Sequence, residues 1–165
     1  MQAVCLVMGA GAGIGGTVAG RFAQEGYHAV LCRRSDDAGL KKLVNDIEAG
    51  GGSASGYLLN AVEPDVIEQR IATIEAEIGP IEVVIFNLGA QIGNRSLTGT
   101  SYKAFELGWR MATFALFRTA SAVCPAMEDR GKGTILVTSA TAAVRGNAGQ
   151  HSHAAAMGGR RMLCQ

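Results

Sequence analysis

Aromatic side chains are scarce: they make up 5% of the 165 residues, with a single Trp, and only three prolines are present. Neither sign of charge dominates. Fifteen Lys and Arg stand against 14 Asp and Glu, a formal net charge of +1, which excludes a broad polyelectrolyte attraction to nucleic acid or to an anionic membrane as the main business. No run approaches the ~18 consecutive apolar residues that span a bilayer. The four cysteines, Cys5, Cys32, Cys124 and Cys164, form no C-x-x-C pair and have apolar neighbours. A zinc site or disulfide framework is therefore not expected; buried, reduced thiols in a cytoplasmic protein are. Scattered methionines give no support to a soft-metal site. The apolar start Met1–Met8 lacks a basic flank and runs directly into glycines, so it reads as a strand and not as a signal peptide.

What is present is apolar mass and glycine. A hydrophobic share of 48% supports a sizeable core and excludes disorder. The 23 glycines are about twice the usual share of ~7%, without the period of three that collagen requires. The length bounds the chain to one domain, 1–165.

Short apolar runs alternate with helical periods. Ala3–Met8, His28–Cys32, Gly56–Leu59, Glu82–Asn87 and Gly133–Ser139 read as strands. Ile14, Val18 and Phe22 repeat at helical spacing, with Gly26 as the stop. Leu40, Leu43, Val44 and Ile47 mark a second helix, and Ile67, Ile71, Ile74 and Ile78 a third. The stretch 101–128 is long and helical, with Phe105, Trp109, Ala112 and Leu116 near one face, and Pro125 is expected to kink or end it late. A last helix begins at His151. Alternation of this kind predicts right-handed βαβ units, hence a Rossmann-type, doubly wound parallel sheet in a three-layer α/β/α sandwich with strand order 3-2-1-4-5.

Between the first strand and first helix stands Gly9-Ala10-Gly11-Ala12-Gly13-Ile14-Gly15-Gly16. Two registers fit: Gly11-x-Gly13-x-x-Gly16, the general dinucleotide fingerprint, and the wider Gly9-x-x-x-Gly13-x-Gly15. In either, missing side chains let main-chain amides at a helix start approach a diphosphate. A tight turn in an Ala/Gly-rich chain is the plainer explanation, but the strand-to-helix context favours nucleotide. The second strand ends in Arg33 and Arg34, with Asp36 and Asp37 later. A guanidinium suits a 2′-phosphate, so NADP is favoured, with NAD possible. A first-turn glycine loop also serves methyl transfer from S-adenosylmethionine, but that chemistry wants an acid where the two arginines stand.

These motifs resemble the short-chain dehydrogenase/reductase family along the whole chain. Gly9-x-x-x-Gly13-Ile14-Gly15 is similar to its T-G-x-x-x-G-I-G, with Met8 in place of Thr. Gly79-Pro80-Ile81-Glu82-Val83-Val84-Ile85 is similar to its G-P-I-D-V-L-V. Phe86-Asn87-Leu88-Gly89-Ala90 resembles N-N-A-G, and Gly131-x-Gly133-Thr134-Ile135-Leu136-Val137-Thr138-Ser139 resembles the strand ending in the catalytic Ser. Asn60 falls where an Asp commonly contacts adenine. The resemblance implies a cofactor-binding set of Gly9, Ala12, Gly13, Ile14, Arg33, Arg34, Asn60, Ala61, Asn87, Leu88 and Gly89. It also implies hydride transfer between nicotinamide and a small-molecule carbonyl or alcohol.

The family's catalytic set is Asn, Ser, Tyr and Lys. The Asn falls at Ala112. Ser139 is retained, with Thr138 and Thr141 leaving its register open. The Y-x-x-x-K pair falls on Ser152-x-x-x-Ala156 or on His153-x-x-x-Met157, the second register agreeing better with Arg145-Gly146-Asn147-Ala148-Gly149. The last Tyr is Tyr102 and the last Lys is Lys132, so neither role is filled as usual. His153 is the candidate proton donor, since an imidazole with a pKa of ~6.5 works near neutrality without a neighbouring cation. His151 and His153 as plain surface residues, and a nucleotide-binding scaffold without turnover, are the competing readings. Gly93-Asn94-Arg95-Ser96 is a candidate substrate loop, Arg160-Arg161 reads as solvated helix surface, and Phe105 and Trp109 read as core or subunit contact. Relatives continue past this point with further strands and a lid; the chain reads as truncated after the fifth strand and its helix. The fifth strand then keeps an open edge, for which a homo-oligomer is expected.

Overall fold

A computed structural model describes residues 1–89, 96–146 and 148–165. Five parallel strands form one sheet: β1 (Val4–Met8), β2 (His28–Arg33), β3 (Ser53–Leu58), β4 (Ile81–Phe86) and β5 (Thr134–Val137), in the order β3-β2-β1-β4-β5. The helices are α1 (Ile14–Gln24), α2 (Asp37–Ala49), α3 (Val66–Glu77), α4 (Tyr102–Trp109), α5 (Ala115–Arg130) and α6 (His151–Leu163). The expected architecture and strand order are both present.

The apolar runs become central strands because both faces are covered. On one face Val4, Leu6, Met8, Val30, Val84 and Phe86 pack with Ile67, Ile71 and Ile74 of α3 and with Leu116, Val123 and Met127 of α5. On the other, Cys5, Val7, Leu31, Val83 and Ile85 pack against Ala19 and Ala23 of α1 and Leu40 of α2. Period-2 geometry divides one strand between two cores. Cys5 and Cys32 are buried and desolvation pushes both thiols up to about 12, but Cys124 is half-buried and Cys164 exposed, so the expectation of buried thiols holds for two of four.

Two expectations need correction. The stretch is helical from Tyr102 on, as expected, with α4 and α5 joined by a π-helical turn, Arg110–Phe114, but α5 runs through Pro125 to Arg130 without ending. A proline costs one helical hydrogen bond; burial of Val123 and Met127 on either side holds the helix together. Second, β3 begins at Ser53, three residues before the apolar signal. There the strand is held by polar pairing, with His28 Nδ1 2.6 Å from Ser53 Oγ and Nε2 2.8 Å from Ser55 Oγ.

That pairing has a pH consequence. Burial lowers the His28 pKa below its ordinary 6.5, against a smaller opposing pull from Glu48. A depressed folded-state pKa means the neutral ring is the stabilising form. Its contribution is complete above pH ~6.5 and is lost as pH falls through the folded value. Calorimetric melting between pH 7 and 5 is expected to show a steeper loss for the wild type than for His28→Gln; parallel curves would contradict it.

Candidate functional site

The chain leaves β1 through Gly9, whose N–H and that of Ala10 both donate to Cys32 O on β2 (2.8 and 2.9 Å). Gly9 has φ +97°, and a Cβ there would lie 2.7 Å from Asn87 O, so only glycine fits. Gly15 and Gly16 are also required by the fold, since a Cβ on either would collide with the carbonyl of Gly9 or of Gly11. Gly11 and Gly13 differ: a Cβ on either meets nothing within 4 Å. Their bareness therefore serves no packing among the described residues and leaves a cradle that a side chain would fill. Helix α1 opens beside it at Gly13 with no side-chain cap; of its first amides, that of Gly16 donates to Gly11 O (2.8 Å), while those of Ile14 and Gly15 have no acceptor within the helix. An uncapped helix start beside an open, glycine-bare surface fits a diphosphate. Both sequence registers contribute, the required glycines coming from each.

Asn87 borders this cradle. Its N–H donates to Met8 O (2.8 Å) and its Nδ2 to Gly9 O (3.1 Å), which ties the end of β4 to the glycine turn. Leu88 is half-buried and Gly89 exposed beyond it. Ala12 and Ile14 are exposed on the cradle's rim. At the end of β2, Arg33 is ion-paired with Asp36 (3.1 Å), while Arg34 is exposed and has no ion pair among the described residues. Asp36 itself sits at φ 68° and caps α2 by accepting from Gly39 N–H (2.9 Å). Asn60 and buried Ala61 begin the turn after β3, where Asn60 Nδ2 donates to Glu63 Oε1 (2.9 Å).

The two catalytic candidates are not brought together. His153, half-buried on α6, lines a hollow of about 550 Å³ with Ala140, Thr141, Ala142, Arg145, Ala148 and others. Its Nδ1 is buried without a hydrogen-bond partner among the described residues. Ser139 is exposed and lines a separate hollow of about 270 Å³ with Arg160, Arg161 and Cys164. The hydroxyl residue that shares a hollow with His153 is Thr141. His151 is held elsewhere, its Nε2 3.0 Å from Thr100 Oγ1. Ala112, Ala156 and Met157 are buried together. Residues 90–95 and 147 lie outside the described residues, and with them Gly93, Asn94 and Arg95 of the candidate substrate loop.

One residue contradicts its sequence reading outright. Arg161 is exposed, but Arg160 is 1% exposed. Its Nε donates to Ala112 O (3.1 Å), Nη1 to Thr138 O (3.0 Å) and Nη2 to Leu88 O (2.6 Å), and its guanidinium lies 5.0 Å from the centre of the Phe86 ring. Three carbonyls from three elements thus converge on one fork: two beyond the ends of β4 and β5, the third in the π turn. The only hint in the sequence is a basic residue three positions beyond the buried Ala156-Met157 pair, on the same face of the helix. Arg110 and Arg118 were also missed; both reach the turn after β3.

Comparison with known proteins bears on this arrangement. A family model described as short chain dehydrogenase matches residues 3–165. The chain is 28% identical over 156 residues to a 3-oxoacyl-(acyl-carrier-protein) reductase of Thermotoga maritima, covering 94% of this chain and 63% of the relative. It is 30% identical over 158 residues to the reductase of that name from Salmonella typhimurium, covering 94% and 62%. It therefore spans less than two thirds of the length of these curated relatives. Among solved structures, a short-chain dehydrogenase from Rhodopseudomonas palustris superposes with a TM-score of 0.93 at 36% identity, over 99% of this chain and 76% of that one. A gluconate 5-dehydrogenase from Burkholderia cenocepacia, in complex with NADP and tartrate, gives 0.87 at 25% identity, over 98% and 62%.

Proposed function

The chain belongs to the short-chain dehydrogenase family, and from that premise we propose that it is an NADP-linked oxidoreductase acting on a small carbonyl or alcohol. The observation that carries the reading is the bare surface of Gly11 and Gly13 beside the uncapped start of α1. Ala12, Gly13 and Ile14 would hold the diphosphate through main-chain amides, with Gly9 shaping the turn that admits it, Arg33 and Arg34 would hold the 2′-phosphate, Asn60 and Ala61 the adenine, and Asn87, Leu88 and Gly89 the nicotinamide end. When bound, the nicotinamide supplies or accepts the hydride.

The chain's own chemistry is proton management. His153 lines the polar hollow, and its buried Nδ1 has no hydrogen-bond partner among the described residues; an imidazole there would give a proton to a carbonyl oxygen or take one from an alcohol. We assign the hydroxyl that orients that oxygen to Thr141, which shares the hollow, with Ser139 as the alternative. Steady-state reduction of a carbonyl panel tests both: His153→Ala is expected to remove most turnover, and Thr141→Ala to lower it more than Ser139→Ala. Tight dinucleotide binding without turnover on any substrate would favour the scaffold reading instead. A cytoplasmic protein pairing with a second copy is part of the same proposal. The stacked rings of Trp109, Phe114 and Phe117 (centroids 5.4 and 6.3 Å apart), each more than a third exposed, supply an apolar face for it.

Fluorescence titration tests the cofactor preference. NADPH is expected to bind more tightly than NADH. Because Asp36 occupies Arg33, Asp36→Asn is expected to improve NADPH affinity up to about fivefold, the value of an exposed ion pair, and to leave NADH unchanged. NADH binding more tightly than NADPH would remove the assigned role of the two arginines.

A further inference from the structure

The turn that follows β3 is held from outside by two arginines that no cofactor contact explains. Three successive carbonyls, those of Ala61, Val62 and Glu63, each accept from a guanidinium. Arg118 Nη1 donates to Ala61 O (3.1 Å) and Glu63 O (2.8 Å), and Arg110 Nη2 donates to Val62 O (2.6 Å). The other edge of Arg118 grips the start of α3 through a two-pronged pair with Glu68, Nε to Oε1 at 2.8 Å and Nη2 to Oε2 at 2.6 Å. The Arg118 side chain is only 10% exposed. Each of these three carbonyls thus accepts a charge-assisted bond, which is stronger than a neutral one.

The π turn makes this possible. Arg110 and Arg118 are eight residues apart. Around a regular helix, eight steps of ~100° leave two side chains about 80° apart; one residue absorbed in a wider turn reduces that to about 20°. The turn Arg110–Phe114 lies between them, so both arginines reach the same backbone segment. A uniform helix would direct only one of them there.

We propose that Arg110 and Arg118 are positioning residues for the adenine end of the dinucleotide: through the carbonyls of residues 61–63 they set where Asn60 and Ala61 stand. This rests on the cofactor reading above. It makes the α4–α5 rod, which also carries the exposed aromatic rings, the element that fixes the adenine turn. Neither arginine touches the ligand.

The test is calorimetric binding of three probes, NADPH, adenosine 2′,5′-bisphosphate and reduced nicotinamide mononucleotide, to the wild type, Arg118→Gln and Arg110→Gln. Arg110→Gln, which loses one charge-assisted bond to the turn, is expected to weaken NADPH and the adenosine bisphosphate about tenfold, Arg118→Gln, which loses two, by at least as much, and both to leave the mononucleotide within twofold. A merely structural role would weaken both fragments alike, and that result overturns the proposal. So does unchanged binding of the adenosine bisphosphate. Arg110→Gln removes one bond to one carbonyl and an exposed 4.0 Å pair with Glu106 on its own helix, and leaves the Glu68 pair intact, so it remains informative if Arg118→Gln does not fold. A wild type that binds none of the three overturns the cofactor reading itself, whereas a wild type that binds them beside variants that bind equally well overturns this proposal alone.

Discussion

Arg160→Met is expected to lower the unfolding free energy by about 3 kcal/mol, from opposing terms that are each larger. The guanidinium has no carboxylate partner among the described residues, and burial pushes its pKa down to about 10, so at neutral pH the fold carries a desolvated cation. Taking that charge away recovers several kcal/mol by itself. Against this, three bonds from a charged donor are lost, worth roughly 1.5–3 kcal/mol each, together with a contact to the Phe86 ring. The carbonyls of Leu88, Thr138 and Ala112 would also lose a donor that methionine cannot replace. The losses exceed the recovery, and for a chain of this size about 3 kcal/mol corresponds to a melting temperature lower by roughly 10 °C. Arg161→Met, one position along and exposed, is expected to stay within about 0.5 kcal/mol. Thermal melting of the two variants side by side decides it. An Arg160→Met protein as stable as wild type would mean that water satisfies the three carbonyls and that the arginine does not tie the strand ends together.

Arg160 also marks the boundary of what the sequence reveals. The sheet order is legible because it follows from local signals. AVCLVM and EVVIF can only be central strands, and isoleucines at 67, 71 and 74 can only be one helix face. The glycine turn is legible for the same reason, lying between a strand and a helix. What is not legible depends on groups that meet only after folding. Arg160-Arg161 on a helix with many small residues looks solvated, because nothing local announces three orphan carbonyls above it. The π turn at Arg110–Phe114 has no residue signature, so the shared direction of Arg110 and Arg118 could not be read. Ser139 and Thr141 are both hydroxyl residues just past a strand, and the hollow each lines is decided by the path of the 3₁₀ turn Thr141–Ala143. Strand β3 was legible only in its second half, since Ser53 and Ser55 are fixed by a histidine on the neighbouring strand and not by apolar pattern.

The largest functional effect is expected from Gly13→Val, and its value lies in the contrast with Gly9→Val. At Gly9 a side chain would face Asn87 O at 2.7 Å with φ at +97°, so valine there is expected to disrupt the turn and unfold the protein at ordinary temperature. At Gly13 a Cβ meets nothing within 4 Å among the described residues, so the fold is expected to survive, with about 1 kcal/mol lost because valine is a poorer N-cap than glycine. What valine would fill is the open side of the cradle, the space through which main-chain amides at the start of α1 would reach a diphosphate. Dinucleotide affinity is therefore expected to fall at least 100-fold, about 2.7 kcal/mol, while melting changes by only a few degrees. A folded Gly13→Val protein that still binds NADPH within threefold of wild type would mean that the ligand does not approach α1 at all. The bareness of Gly11 and Gly13 would then need another cause, and the oxidoreductase reading would lose the observation on which it stands.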